Sequence, residues 1–201
     1  ILNDMETRGF TPCVVVGADM PSSRSSRALA QTRPWLYWAA GVHPHDADTY
    51  CDAFHDELLA MMREKKCVAW GEIGLDYHYD LSPRETQRVV FARQVDAACE
   101  IGKPLILHIR EAHGDATDIL RARRGKLPQG VVHCYSGSAE QAKIYLDMGF
   151  YLGFDGPVTF KKAPRLAKVA QMCPGDRLLV ETDSPYMSPE PLRGRRNDPR
   201  N

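Results

Sequence analysis

The residues able to do chemistry recur in segments of one kind, in which an apolar run closes on one or two polar side chains. His43 and His45 end Gly41-Val42-His43-Pro44-His45, and Glu72 lies in Gly71-Glu72-Ile73-Gly74-Leu75-Asp76. His108 and Arg110 close Leu107-His108-Ile109-Arg110, and His133 opens His133-Cys134-Tyr135-Ser136-Gly137. Asp155 follows Phe154, and Asp183 lies in Glu181-Thr182-Asp183-Ser184-Pro185. Imidazole and carboxylate together suit a borderline or hard divalent ion: zinc, manganese, iron or magnesium. Such an ion lowers the pKa of bound water toward neutrality and polarises the bond under attack. Two neighbouring ions need a bridging carboxylate, for which Glu72 between small glycines is the candidate. Asp183 can ligate metal and also take a proton from the attacking water. The chemistry predicted is metal-assisted hydrolysis.

Each residue alone has an ordinary reading. A strand-end histidine is commonly a satisfied structural residue, and Glu72 could pair with a buried arginine. Asp183 before Ser-Pro could cap a turn, and Arg110 could be a plain ion-pair partner. His55, His78 and His113 fall in helical or loop segments, where a solvated role is expected. The signal is the coincidence of so many polar residues at the same end of successive runs.

The elements that must position them read as a serial alternation. Runs of strand length at 12–18, 35–42, 67–75, 104–109, 130–135, 150–154 and 177–182 are near-continuously apolar, as strands buried on both faces are. Helical spacing fills the gaps. Ser82-Pro83-Arg84-Glu85 reads as a capping box, followed by a stripe of Phe91, Val95 and Ala98 that stops at Gly102. Ser138-Ala139-Glu140-Gln141 opens another helix, with Ile144 and Met148 expected inward. Gly9, Gly102 and Gly149 stand just before runs, where a helix stops in the left-handed conformation. The class is α/β. Residues 1–8 read as the tail of a helix that a strand should precede, and no helix follows the seventh run. The expected fold is a (β/α)₈ TIM barrel whose first strand and last helix lie outside this chain, with 1–201 a single metal-dependent hydrolase domain. An open doubly wound sheet is the competitor, but its G-x-G-x-x-G phosphate loop is absent.

Composition sets bounds. With 43% hydrophobic and 26% charged residues, the chain is not a disordered one. No apolar run is long enough to span a membrane, and no signal peptide is read, so no membrane partner is expected. Residues 1–100 carry 10 Lys+Arg against 15 Asp+Glu, and residues 101–201 carry 16 against 11, so the second half is cationic although the whole is neutral. Arg121, Arg123, Arg124 and Lys126 precede a strand and read as a solvated face. Arg193, Arg195, Arg196 and Arg200 follow the last strand, better placed to grip phosphates. Tyr77, Tyr79 and Tyr186 could stack on bases, though local packing is the commoner role. The six widely spaced cysteines read as reduced thiols of a cytoplasmic protein, packed like other small apolar residues.

These motifs resemble a known family. Gly-Val-His-Pro-His (41–45), Gly-Glu-Ile-Gly-Leu-Asp-Tyr (71–77), His-x-Arg (108–110), His-Cys-Tyr-Ser-Gly (133–137), Glu-Thr-Asp-Ser-Pro (181–185) and Arg-Gly-x-x-Asn-x-Pro (193–199) follow the order and approximate spacing of the TatD-type metal-dependent deoxyribonucleases. The resemblance implies a (β/α)₈ barrel of the amidohydrolase type that holds one or two divalent ions (Mg, Mn or Zn) and cleaves phosphodiesters. It implies nucleic acid as substrate, DNA before RNA, and a monomer. By matching motif, Glu72, His108, His133 and Asp183 are implied metal ligands, with Glu72 and Asp183 catalytic and Asp183 acting at the attacking water. His43 and Arg110 match positions near the substrate phosphate. The family opens with a His-x-His pair on its first strand, which does not precede residues 1–8 here; His43-Pro44-His45 is a different motif. Two other readings stay open: a hydrolase with the same centre acting on another ester or amide, and a non-catalytic binder of nucleic acid or protein.

Overall fold

The seven apolar runs form seven strands in a computed structural model that describes residues 1–201. Contacts group the chain into two units, one spanning Pro12–Gly130 and the other combining Ile1–Thr11 with Val131–Asn201.

The larger unit holds β1 (Cys13–Val16), α2 (Met20–Ala30), β2 (Leu36–Ala40), α3 (Asp52–Met62), β3 (Cys67–Asp76), α4 (Arg84–Ile101), β4 (Leu105–Arg110) and α5 (His113–Arg121). Its strands pair parallel in chain order, β1 with β2, β2 with β3 and β3 with β4. A doubly wound sheet reverses its order at a switch point; this one does not, which is the order of a (β/α)₈ barrel. Leu36, Trp38, Trp70, Ile73, Leu75 and Leu105 are fully buried, as the near-continuous apolar runs require. The predicted stripe of α4, Phe91, Val95 and Ala98, is buried too. Its predicted capping box is not formed. Pro83 is the N-cap, and the Ser82 hydroxyl donates instead to the His45 carbonyl at 2.9 Å.

The smaller unit holds α1 (Leu2–Thr7), β5 (Gly130–Val132), α6 (Ala139–Asp147), β6 (Tyr151–Phe154), α7 (Pro164–Met172) and β7 (Leu178–Val180). Val131 and Val132 of β5 pair parallel with β6, and β6 pairs parallel with β7. The helix predicted to open at Ser138 does so with a capping box: the Ser138 hydroxyl accepts the Gln141 N–H and the Gln141 carboxamide oxygen accepts the Ser138 N–H. Ala142 and Tyr145, rather than Ile144 and Met148, are the buried residues of α6. Tyr145 packs edge-on between Tyr135 and Phe150. Gly149 at φ +88° turns the chain from α6 into β6, a conformation other residues enter only under strain. No helix is long and apolar enough to cross a membrane.

Candidate functional site

Side chains two apart on a strand share a face, so Glu72, Gly74 and Asp76 line one side of β3. In the parallel register His108 of β4 is the partner of Gly74. Glycine puts no side chain there, and the His108 imidazole meets the carboxylates on either side of it. Its Nδ1 lies 3.2 Å from Glu72 Oε1 and its Nε2 lies 2.9 Å from Asp76 Oδ2. Burial alone would push His108 down, but the hydrogen bonds to Asp76 and Glu72 outweigh it and raise the ring to about 9.

The ends of the strands are tied by α4. Gln87 and Gln94, seven residues apart and so on one face of the helix, are both fully buried. Gln87 accepts the Asp76 N–H at 2.9 Å and donates to the Asp76 carbonyl at 3.1 Å. Gln94 accepts from the Val42 N–H and from Trp70 Nε1, and donates to the Val42 carbonyl. These amides satisfy backbone groups that the ladder no longer reaches, and they fix the residues that carry His43 and Asp76.

His43 is buried and caps the 3-10 helix Pro44–Thr49, its Nδ1 accepting the His45 N–H at 3.2 Å. Burial holds its pKa down to about 3, so the ring is neutral and its proton sits on Nε2. That nitrogen is 3.8 Å from Glu72 Oε1. Donor atoms of His43, Glu72 and His108 all lie within 4.8 Å of one another. Within that group the tautomer makes His43 Nε2 a hydrogen-bond donor, whereas Glu72 offers carboxylate lone pairs and His108 a ring nitrogen once an ion displaces its proton.

In the smaller unit the polar residues lie just beyond their strands. His133 and Cys134 follow β5, Asp155 follows β6 and Asp183 follows β7. Cys134 at φ +44° and Asp183 at φ +48° occupy the left-handed region that non-glycine residues rarely adopt. The Glu181 carboxylate ties the group together. Its Oε2 accepts the Cys134 N–H at 2.9 Å and lies 2.9 Å from His133 Nδ1. His133 Nε2 then faces Asp183 Oδ1 at 3.5 Å. Donor atoms of Cys134, Asp155 and Asp183 also lie within 4.8 Å of one another. The Cys134 thiol donates to Asp155 at 3.3 Å. Burial, with Asp155 and Asp183 beside it, pushes that thiol far up, so it stays protonated. Burial also raises Asp155, to about 6, against the thiol's hydrogen bond. Asn197, from the Arg-Gly-x-x-Asn segment, is buried and donates its side-chain N–H to the Thr182 carbonyl, while its backbone N–H bonds Pro185 O at 2.8 Å.

The predicted site residues therefore gather in two groups: His43, Glu72 and His108 in one, His133 and Asp183 in the other. Arg110 belongs to neither group; its guanidinium lies 4.7 Å from the centre of the half-exposed Tyr79 ring. Tyr77 is locally packed, donating to Asp115 at 2.6 Å under the Arg84 guanidinium. His113, expected in solvent, is buried, and burial lowers it to about 4. Of the carboxyl-terminal arginines, Arg200 is engaged with Asp198 and Asp4, and Arg193 lies over Phe160. The reading of the sequence missed Asp76, Gln87, Gln94 and Glu181 as site-forming residues and took Cys134 for ordinary packing. Asp76, four residues from Glu72, and Glu181, two residues from Asp183, were in view inside their motifs; nothing marked the glutamines. The donor sets fit a divalent ion: neutral-capable imidazoles and carboxylates, preset by buried hydrogen bonds, with nitrogen and oxygen suited to zinc, manganese or magnesium.

A protein-family model described as TatD related DNase matches residues 1–201. YabD of Bacillus subtilis, named as an uncharacterized metal-dependent hydrolase, is 41% identical over 186 residues, covering 92% of this chain and 73% of that protein. A protein of Edwardsiella piscicida named 3'-5' ssDNA/RNA exonuclease TatD is 35% identical over 197 residues, covering 95% of this chain and 76% of its own. The crystal structure of YjjV, a TatD homolog from Escherichia coli K12, aligns with TM-score 0.86 at 31% identity, over 92% of this chain and 72% of that one.

Proposed function

Since the chain belongs to the TatD related DNase family, we propose that it is a metal-dependent hydrolase that cleaves phosphodiester bonds of nucleic acid, single strands of DNA before RNA. The observation that carries this reading is the preset pairing of donors, Glu72 with His108 and His133 with Asp183, at the carboxyl ends of parallel strands. We assign those four residues as ligands of one or two ions (Mg, Mn or Zn). A bound ion supplies a water of lowered pKa and polarises the phosphodiester. Asp183 would take the proton of the attacking water as the water oxygen bonds to phosphorus and the ester P–O bond breaks, the departing sugar oxygen taking up a proton from solvent; Glu72 would hold the ion together with His108. His43, whose Nδ1 is committed to the His45 N–H, presents Nε2–H to a phosphate oxygen. Arg110, braced on Tyr79, offers a cationic contact to the phosphate.

The family description runs through both units without a break, which supports reading 1–201 as one hydrolase domain. All six cysteines are free thiols, in keeping with the reducing cytoplasm. The test is cleavage of labelled single-stranded DNA and RNA of one sequence by the full-length protein, with manganese, magnesium or zinc against EDTA. Metal-dependent shortening of the oligonucleotide is expected. Hydrolysis of a carboxylic ester or amide under the same conditions, with both nucleic acids intact, would refute the proposal.

A further inference from the structure

The loop that leaves β3 carries an aromatic ring to the edge of the His43, Glu72 and His108 group and leaves it open to solvent. Arg110 is the register partner of Asp76, and its carbonyl accepts the Tyr77 N–H at 2.9 Å, so the chain just past β3 stays alongside the end of β4. The buried Asp76 carboxylate then pins the turn, its Oδ1 accepting the backbone N–H groups of His78 and Tyr79 at 3.0 and 2.9 Å. The Tyr79 ring is fixed from several sides. The Arg110 guanidinium lies 4.7 Å from its centre, and the His45 and His78 rings meet it edge-on at 5.5 and 4.8 Å. His78 is itself held by Glu111, at 2.8 Å. Yet Tyr79 is 53% exposed, and Leu81, two residues on, is 64% exposed. One ring, His45, links Tyr79 to His43, 4.3 Å further on. An aromatic side chain is usually ordered by being buried; this one is ordered and remains wet, which is the condition of a platform on which a flat ligand stacks.

We propose that Tyr79 is a specificity-determining residue: its exposed side stacks a nucleobase of the strand whose phosphate meets His43 and Arg110. The inference rests on the proposed nuclease function and adds to it the form of the substrate. A base inside a duplex is already paired and stacked and cannot reach the ring without being drawn out, so unpaired strands are selected. Every base has a π face, so the choice among bases is weak. Arg110 lies against the same ring, so the base and phosphate contacts share one support.

The test pairs a change in the protein with a change in the substrate. The full-length protein with manganese, wild type or Tyr79→Leu, is given single-stranded oligonucleotides in which one abasic position is walked along the strand. At one position the missing base should lower wild-type kcat/KM roughly 5- to 100-fold, mainly through KM, and should cost Tyr79→Leu almost nothing. Tyr79→Phe, which keeps the ring, should recover the dependence on that base. A 2-aminopurine at the same position should be quenched by the EDTA-treated wild type and stay bright with Tyr79→Leu. If Tyr79→Leu slows intact and abasic strands alike, the ring only braces Arg110 and the inference falls. Quenching retained in a Tyr79→Leu protein that melts as the wild type does overturns it too. A wild type that cleaves no strand with any metal removes the proposed function and the inference together, whereas cleavage indifferent to the ring removes the inference alone.

Discussion

Glu72 and His108 are carried inside β3 and β4, whereas His133, Cys134, Asp155 and Asp183 all lie in the turns that follow β5, β6 and β7. β3 is ten residues long, while β5 and β7 have three each. In the first group the sheet register does the positioning, by setting His108 against Gly74 with a carboxylate on either side. In the second the backbone must leave the strand conformation, with Cys134 and Asp183 at positive φ, and side chains hold it there. Glu181 gathers Cys134 and His133, and Asn197 holds Thr182 and Pro185. Similar donors are thus placed by ladder geometry in one group and by a small set of polar ties in the other. The second arrangement depends more on each individual residue.

That contrast can be broken at several points. The largest effect is expected from removing a proposed ligand in each group. His108→Ala and His133→Ala should each lower metal-dependent cleavage by about 10³-fold, several kcal/mol of barrier. Steady-state assays at saturating manganese check this, and activity retained in either variant would remove its group from the reaction.

Next in size is the clamp of the strand-borne group. Gln94→Leu leaves the Val42 N–H, the Val42 carbonyl and Trp70 Nε1 without their bonds, and should cost about 3 kcal/mol of unfolding free energy in urea titrations. Asn197→Ala should cost less, about 1–2 kcal/mol, because it removes a shorter list of bonds. Yet it should slow cleavage out of proportion to that loss and speed amide exchange in 182–186. A loss of stability with unchanged turnover would show that the loops hold their shape without it.

The smallest effect is in pH. In the metal-free protein His108 is raised to about 9 from 6.5, so its pairing with Asp76 and Glu72 stabilises fully below pH 6.5 and is lost as pH rises through 9. Asp155, raised to about 6 from 3.8, contributes stability that is full below 3.8 and lost as pH rises through 6. Chemical denaturation from pH 5 to 10 should therefore show two falls, the upper one flattened in His108→Gln and the lower one flattened in Asp155→Asn.

Much of this was legible in the sequence. Strands buried on both faces announce themselves as unbroken apolar runs, so the polar residues ending them stood out, and Glu72, His108, His133 and Asp183 did fall into two compact groups. The ties that hold them did not stand out. Gln87 and Gln94 carried no mark in the sequence, because an amide is marked as buried only by the backbone it serves. Asp76 and Glu181 are ordinary acids until the register sets a histidine against each. Ser82 misled by one position, since the following proline itself takes the cap and frees the hydroxyl for His45 O. Cys134 was read from its type, whereas its place at a positive-φ turn between two carboxylates follows from β5 ending at Val132.

The most direct measurement is single-turnover cleavage of a single-stranded oligonucleotide by the full-length protein with manganese, comparing wild type with Glu72→Gln and Asp183→Asn, one substitution in each group. The account predicts metal-dependent cleavage by the wild type and its loss in both variants, each folded as judged by its melting temperature. Full activity in either folded variant would contradict the claim that both groups serve the one reaction.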